Sequence, residues 1–226
     1  MDIDAYEAWY HSPRGGWIGE TEFALLMRLL SARLNTGGSH SLLDVGCGSG
    51  YFTRRFAASG LQTTGLDPDA TAVSYALKRD TQTVYLQGIA ESLPFENDSF
   101  DYCTAVTSLC FIAEPAKALL EMWRLANRAV LLGLLNRHSL LYRQKQGRGA
   151  YQGARWDTLA DVKKWIELLS PQPLVLKSAT AVFLPGAGVG AQILERLLPA
   201  SLPWGSFLAV YIEKNSISQN SDVISN

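Results

Sequence analysis

Short apolar runs alternate with amphipathic segments between residues 41 and 135. The apolar runs predict strands at 41–45, 62–66, 83–87, 100–106 and 128–135. The amphipathic segments predict helices at 51–59, 69–79 and 114–126. Regular alternation of this kind is typical of an α/β fold with a parallel, doubly wound sheet and right-handed crossovers. Ligands on such sheets bind at the carboxyl ends of the strands, near the switch in strand order.

The flanking segments are less regular. Helical spacing of apolar residues predicts a helix over Glu20–Ala32, and turn residues at 35–39 end it. After residue 135, Asn136–Gly153 is polar, basic and glycine-containing, which predicts a long connection. The last third then predicts a helix over 158–169, strands over Leu174–Leu184 and Phe207–Ile212, a helical insertion near Val189–Leu197, and a disordered tail over 215–226.

Length and composition favour one soluble domain. A chain of 226 residues buries one α/β core, and we expect a single domain over 1–214. A net charge of −1 gives no basic field for nucleic acid, and the apolar runs are too short to cross a membrane. No signal peptide is evident, and three cysteines at unpaired spacings indicate neither a disulfide framework nor a metal site. We therefore expect a cytoplasmic protein without metal.

The stretch from Leu42 to Thr53 carries the clearest chemical signal. An apolar run is followed by the glycines Gly46, Gly48 and Gly50, and helix-forming residues come after them. Glycine accepts positive φ and lets a ligand approach the backbone, and the helix behind it presents free N–H groups. Asp67 ends the second apolar run, where an acidic side chain usually accepts hydrogen bonds from ribose hydroxyls. This pattern predicts a nucleotide-like ligand above the turn.

These residues resemble motifs of the class I S-adenosylmethionine-dependent methyltransferases, in their small-molecule, type 11-like branch. Asp44–Gly50 resembles the first motif and Gly65–Asp69 the second, while Gln87–Asp101 is similar to the stretch before the fourth strand. The start, Tyr6–Gly15, also resembles such proteins. The resemblance covers about Tyr6 to Leu135. It implies a Rossmann-like, seven-stranded, mostly parallel sheet with an antiparallel edge strand. It also implies three segments: an N-terminal helical lid over 1–36, a cofactor core over 41–135, and substrate-side segments over 136–214.

The resemblance also implies S-adenosyl-L-methionine as cofactor. The cofactor-binding residues that it implies, together with an arginine for the cofactor carboxylate, are Asp44, Gly46, Cys47, Gly48, Asp67, Pro68, Ile89, Ala90, Thr107 and Arg14. Position 89 departs from the family, which often has an aspartate there for the adenine amino group. Isoleucine loses one hydrogen bond, about 0.5–1.5 kcal/mol, for which Glu91 or Ser92 could substitute. The family's Lys-Pro-Gly-Gly turn is replaced by Leu125–Arg128, which we interpret as a shorter structural turn.

Catalytic residues are harder to assign because many methyl transfers need only alignment of donor and acceptor. If the acceptor is a hydroxyl, the candidate bases are His11, His138 and Tyr10, although a surface role is the commoner one for such histidines. The aromatic residues near the start could form a lid or simply pack the first helix onto the sheet. Those of the last third, Trp156, Trp165, Phe183 and Trp204, could fill the core or line an acceptor pocket.

Together these observations predict methyl transfer to a small, apolar or aromatic molecule by a monomer or homodimer. The alternatives are a nucleic-acid or protein methyltransferase and a non-catalytic protein that binds S-adenosylmethionine. Amino-methylating enzymes often carry Asn/Asp-Pro-Pro-aromatic after the fourth strand, where this chain has Thr107–Phe111. A nicotinamide oxidoreductase would want glycine or alanine at position 51, which is Tyr51.

Overall fold

Seven strands and eight α-helices lie within residues 2–31, 34, 38–186 and 188–215, which the computed structural model describes. The strands are β1 (Ser41–Val45), β2 (Gln62–Asp67), β3 (Val84–Gln87), β4 (Phe100–Val106), β5 (Ala126–Leu135), β6 (Val175–Ala181) and β7 (Phe207–Glu213). The helices are α1 (Ile3–His11), α2 (Pro13–Ser31), α3 (Tyr51–Ala58), α4 (Ala70–Arg79), α5 (Pro115–Leu125), α6 (Leu140–Lys145), α7 (Leu159–Ile166) and α8 (Val189–Leu197).

The strands form one sheet in the order β3-β2-β1-β4-β5-β7-β6. The five strands from β3 to β5 are mutually parallel, whereas β7 is antiparallel to both β5 and β6. This arrangement confirms the predicted Rossmann-like, mostly parallel sheet, with the antiparallel β6–β7 pair at its edge. Strand order reverses between β1 and β4, so the carboxyl ends of these two strands flank the crevice where doubly wound sheets bind ligands.

Helices cover both faces of the sheet and bury two apolar clusters. On one face α5 and α7 pack Leu119, Met122, Trp123 and Val162 against the strands. On the other face α2 and α3 pack side chains that include Leu26, Leu30, Phe52 and Phe56. None of the described helices has the length and apolar character that crossing a membrane requires.

Three boundaries differ from the sequence-based prediction. Helix α2 begins at Pro13 rather than Glu20, because Pro13 suits a first helical position and Ser12 Oγ accepts from Gly15 N at 3.0 Å. Strand β5 follows α5 directly at Ala126, which explains the missing turn motif. The predicted connection over Asn136–Gly153 contains the short helix α6, whose N-cap Ser139 accepts from Tyr142 N at 3.1 Å.

Some predictions lie beyond what the structure tests. The turn predicted at 35–39 and the tail predicted at 215–226 lie mostly outside the described residues. The division into a lid over 1–36, a cofactor core over 41–135 and substrate-side segments over 136–214 stays a prediction.

Gly133 in β5 marks a position where the sheet core has no room for a side chain. A Cβ there would lie 2.4 Å from Phe207 Cζ and 3.2 Å from Val106 Cγ1, and the Phe207 ring is fully buried. We expect Gly133→Ala to destabilise the fold by about 1–3 kcal/mol through overpacking, measured by urea denaturation. Gly190→Ala is the matched control, because nothing lies within 4 Å of that Cβ and alanine favours α8. Equal stability of the two variants would contradict the packing argument.

Candidate functional site

The loop from Gly46 to Gly50 joins β1 to α3 in a conformation that glycine makes accessible. Gly46, Gly48 and Gly50 have φ of 74°, 54° and 79°, in the left-handed region. Gly46 N donates to Leu66 O at 2.7 Å, and Gly48 N donates to the Asp67 carboxylate at 2.8 Å. The turn at the end of β1 is therefore held by backbone and side-chain atoms at the end of β2.

The turn glycines are required for different reasons. A Cβ on Gly46 would lie 2.4 Å from Ser108 Cβ, so this glycine lets β1 and the segment after β4 approach closely. A Cβ on Gly48 would meet nothing nearer than Tyr6 Cε1 at 4.0 Å, so this glycine faces open space. At Gly48, a side chain would extend into the open space where we expect the cofactor. At Gly46, a side chain would instead collide with Ser108.

Asp67 ends β2 with its carboxylate at the edge of the same space. One oxygen accepts from Gly48 N at 2.8 Å and the other from Asp69 N at 2.9 Å. Burial raises the pKa of Asp67 above its ordinary value, and the two backbone N–H groups partly offset that effect. Each carboxylate oxygen can accept a further hydrogen bond, so Asp67 is positioned and still able to bind hydroxyls.

A cavity of about 860 Å³ opens at the carboxyl ends of β1, β2 and β4. Of the predicted site residues, those that line it are Tyr10, Arg14, Gly46, Gly48, Asp67, Pro68, Ile89, Ala90 and Thr107. The structure thus brings together residues from α1, α2 and four separate strand ends. Thr107 and Val182, which both line the cavity, have φ of 50° and 62°. Both are β-branched residues in a strained conformation of the kind that is common at functional sites.

Two predicted cofactor residues lie beneath the cavity rather than on its wall. Asp44 is 1% exposed, accepts from Thr53 Oγ1 at 2.6 Å, and has no partner for Oδ1 among the described residues. Burial raises the pKa of Asp44 to about 7. Cys47 points away from the cavity and packs with Val73, Ala76 and Tyr85. The alternation of glycines with positive φ explains this placement, because it directs the side chain between Gly46 and Gly48 inward.

The two histidine candidates for a catalytic base lie outside the cavity. His11 is exposed at the end of α1, 3.8 Å from Glu7 Oε1. His138 lines a separate depression of about 120 Å³ with residues of β6 and the 200–203 segment. Neither histidine lines this cavity, so the structure does not bring them together with the other predicted site residues, and their role as base stays a prediction. Tyr10 does line the cavity, but burial raises its pKa well above 10, which makes it a poor base.

Known proteins show the same organisation. Residues 43–132 match a family model described as a methyltransferase domain. An uncharacterised protein of Mycobacterium tuberculosis is 31% identical over 170 residues, which cover 72% of this chain and 56% of that protein. This chain thus spans about half the length of that curated relative.

Two solved structures share the fold over nearly the whole chain. A Thermotoga maritima S-adenosylmethionine-dependent methyltransferase, described as a possible histamine N-methyltransferase, has a TM-score of 0.71, 20% identity and coverage of 95% and 96% of the two chains. The magnesium protoporphyrin IX methyltransferase of Synechocystis, with bound S-adenosylhomocysteine, has a TM-score of 0.65, 14% identity and coverage of 94% of each chain.

Residues 43–132 thus match the methyltransferase-domain family, and the chain has the fold of S-adenosylmethionine-dependent methyltransferases. The cofactor of this family is S-adenosylmethionine, and the residues present fit it. Gly48 leaves the backbone open to a ligand, and Asp67 offers carboxylate oxygens at the position for ribose hydroxyls. Ile89 is half exposed on the wall, where the family's aspartate is absent, and Glu91 lines the cavity beside it.

The N-terminal helix α1 is tied directly to the glycine turn. Glu7 is 3% exposed, and its carboxylate accepts from Ser49 Oγ and from Arg54 Nη2. Arg54 Nη1 also donates to Ser49 O at 2.7 Å. Tyr6, Trp9 and Tyr10 therefore stand over the cavity on an anchored helix, and Tyr10 stacks on Tyr51 with ring centroids 3.8 Å apart.

The apolar end of the cavity comes from the end of β5 and the segments after β4, β5 and β6. Its lining there includes Cys110, Phe111, Leu135, Leu141, Tyr151, Val182 and Pro185. Trp156 is buried behind Tyr151, and burial raises the pKa of the Cys110 thiol to about 12. Four aromatic residues of the last third were predicted to fill the core or line an acceptor pocket. None of them lines this cavity: Trp156, Trp165, Phe183 and Trp204.

Sequence reasoning missed Glu22, a carboxyl group on the cavity wall. Glu22 is 9% exposed and lies on α2 among core residues that include Ile18, Leu25 and Leu26. Its position could have been found from periodicity, because Ile18, Glu22 and Leu26 recur every four residues on one helix face. An acidic residue in a buried helical stripe is a signal for function.

The contact of Glu7 with Ser49 and Arg54 predicts that Glu7 holds α1 in place. We expect Glu7→Gln to destabilise the protein by about 1–3 kcal/mol, because it leaves the Arg54 guanidinium without its charged partner. Amide hydrogens of residues 3–11 should exchange faster in this variant. Glu20→Gln removes an exposed partner of Arg55 and should change stability by less than about 1 kcal/mol. Unchanged exchange in Glu7→Gln would contradict the anchoring role.

Proposed function

We propose that this protein transfers the methyl group of S-adenosylmethionine to a small, apolar or aromatic acceptor. The observation that carries the proposal is the continuity of one cavity from Gly48 and Asp67 to the apolar end at Leu141 and Tyr151. Methyl transfer needs donor and acceptor side by side with water excluded, and a cavity that joins a nucleotide cradle to an apolar pocket provides both.

The chain's own residues divide the binding between them. Asp67 accepts the ribose hydroxyls, and the backbone at Gly46 and Gly48 lies along the methionine portion. Pro68, Ile89 and Ala90 enclose the adenine, while Thr107 contributes the wall at the end of β4. The cofactor, when bound, supplies a methyl group on a positively charged sulfur that leaves readily.

The protein must also align the acceptor with the cofactor and exclude water from the cavity. Tyr6, Trp9 and Tyr10 cover the cavity from α1, and the Tyr6 and Tyr10 hydroxyls lie 3.1 Å apart. Aromatic faces of this kind also attract a positively charged sulfur. The two solved neighbours are named for histamine and magnesium protoporphyrin IX, and both of these molecules contain aromatic rings, which supports an aromatic acceptor.

The alternatives have less support. Net charge is −1, which disfavours a nucleic-acid substrate, and Phe111 stands in a short turn after β4 in place of the amino-methylating motif. A non-catalytic role draws support from Ile89 alone. We also propose a cytoplasmic location, a small-molecule partner, and a monomer or homodimer.

Asp67 provides the test of cofactor binding. We expect Asp67→Asn to weaken S-adenosylmethionine binding about tenfold to a hundredfold, because hydrogen bonds to a charged acceptor contribute about 1.5–3 kcal/mol. Calorimetric titration measures the change, with circular dichroism to show that the fold is retained. Glu114→Gln, at an exposed helix start without a side-chain hydrogen bond, is the control and should bind normally. Undiminished binding in Asp67→Asn would rule out the assigned ribose contact.

A further inference from the structure

One stripe of α2 runs from the mouth of the cavity towards the protein core. Arg14, Ile18 and Glu22 are four residues apart, so they lie on one helix face, and all three line the cavity. Arg14 is exposed, whereas Ile18 is 7% and Glu22 9% exposed. The Glu22 carboxyl group therefore lies at the inner end of the stripe, where the cavity wall meets the core.

Glu22 has no partner among the described residues. No hydrogen bond or ion pair reaches its carboxyl group there, although it is nine-tenths buried. The titratable groups within electrostatic range are the hydroxyls of Tyr6 and Tyr10 on α1, Tyr51 on α3, and Tyr151. Burial, with no charge to oppose it, raises the pKa of Glu22 to about 8. An unpaired buried carboxyl group weakens the fold, so a ligand in the cavity is the partner that the structure leaves room for.

Charged side chains of both signs line the cavity. Arg14, Lys145 and Arg148 line the same cavity as exposed side chains, and within the described part of the chain none of them forms an ion pair. Four carboxyl groups, those of Asp2, Glu22, Asp67 and Glu91, line the cavity as well, so its charge alone does not select the acceptor. The hydroxyl class follows from Glu22, because a hydroxyl group must lose its proton on methylation and a neighbouring carboxylate can accept it.

We propose that Glu22 is the catalytic base of this enzyme and that its acceptor is an aromatic or apolar molecule with a hydroxyl group. This proposal rests on the proposed function. The hydroxyl oxygen bonds to the transferred methyl carbon while the carbon–sulfur bond breaks, and that bond's electron pair stays on sulfur. The hydroxyl proton moves to the Glu22 carboxylate, which later releases it to water. The products are a methyl ether and S-adenosylhomocysteine.

The protonation of Glu22 gives the proposal a definite pH dependence. Only the carboxylate form accepts a proton, so kcat/KM should rise with pH through about 8. The stability of the fold changes with pH in the opposite direction, because it falls as pH rises. Because the folded-state pKa lies above the ordinary value of about 4.3, the favourable contribution is complete below pH 4.3 and is lost by about pH 8. Glu22→Gln should therefore have a higher denaturation midpoint than the native protein at pH 9.

The test uses two hydroxyl probes, phenol and 4-nitrophenol, with S-adenosylmethionine labelled in its methyl group. At about pH 8 phenol keeps its proton, whereas 4-nitrophenol is largely ionised and needs no base. We expect Glu22→Gln to slow transfer to phenol about a hundredfold to ten-thousandfold, and transfer to 4-nitrophenol less than about tenfold. Binding of S-adenosylmethionine should be unchanged. Glu20→Gln, two residues away on the exposed face of α2, should match the native protein with both probes.

Three outcomes would overturn the proposal. Equal losses with both probes would show that Glu22 only shapes the cavity. A pH profile for phenol that is the same in Glu22→Gln and the native protein would exclude it as the base. Cofactor binding without transfer to either probe would exclude the hydroxyl acceptor class, while leaving the cofactor site intact. Failure of the native protein to bind S-adenosylmethionine is a separate result, which contradicts the proposed function itself.

Discussion

The left-handed conformation of the glycine turn is the constraint on which the site depends. Gly46 allows the segment after β4 to approach β1, and Gly48 turns its N–H towards Asp67 while leaving its outer face open. Ser49, in the same turn, donates to Glu7 and so fixes the position of α1 above the cavity. A single five-residue turn thereby joins β1, β2, the end of β4 and α1.

The cavity has two chemically different ends because different parts of the fold build them. The segments at the strand ends and the glycine turn supply backbone groups and the carboxylates of Asp67 and Glu91, which suit a nucleotide. The segments from 109 to 113 and from 141 to 151, with Val182 and Pro185, supply mostly apolar side chains, which suit the acceptor. Glu22 adds a carboxyl group to this wall, and it is chemically significant because it has no partner among the described residues.

The cofactor half could be predicted from the sequence because it consists of local signals. Glycine spacing, the acidic residue after β2 and the alternation of strands and helices all lie within short stretches, and the structure places Gly48, Asp67 and Thr107 on one cavity. The acceptor half depends on long-range packing. Whether His138 faces the cavity or the separate depression depends on the path after β5, which no local pattern encodes. Glu22 was missed because its helix was predicted to begin only two residues earlier.

The most direct measurement for the central claim is calorimetric titration of the native protein with S-adenosylhomocysteine and, separately, with NAD. The glycine turn, Asp67 and the apolar cavity predict saturable binding of S-adenosylhomocysteine and none of NAD, for which Tyr51 replaces the small residue of the dinucleotide fingerprint. Absence of S-adenosylhomocysteine binding, or equally tight binding of NAD, would contradict the assignment of this cavity.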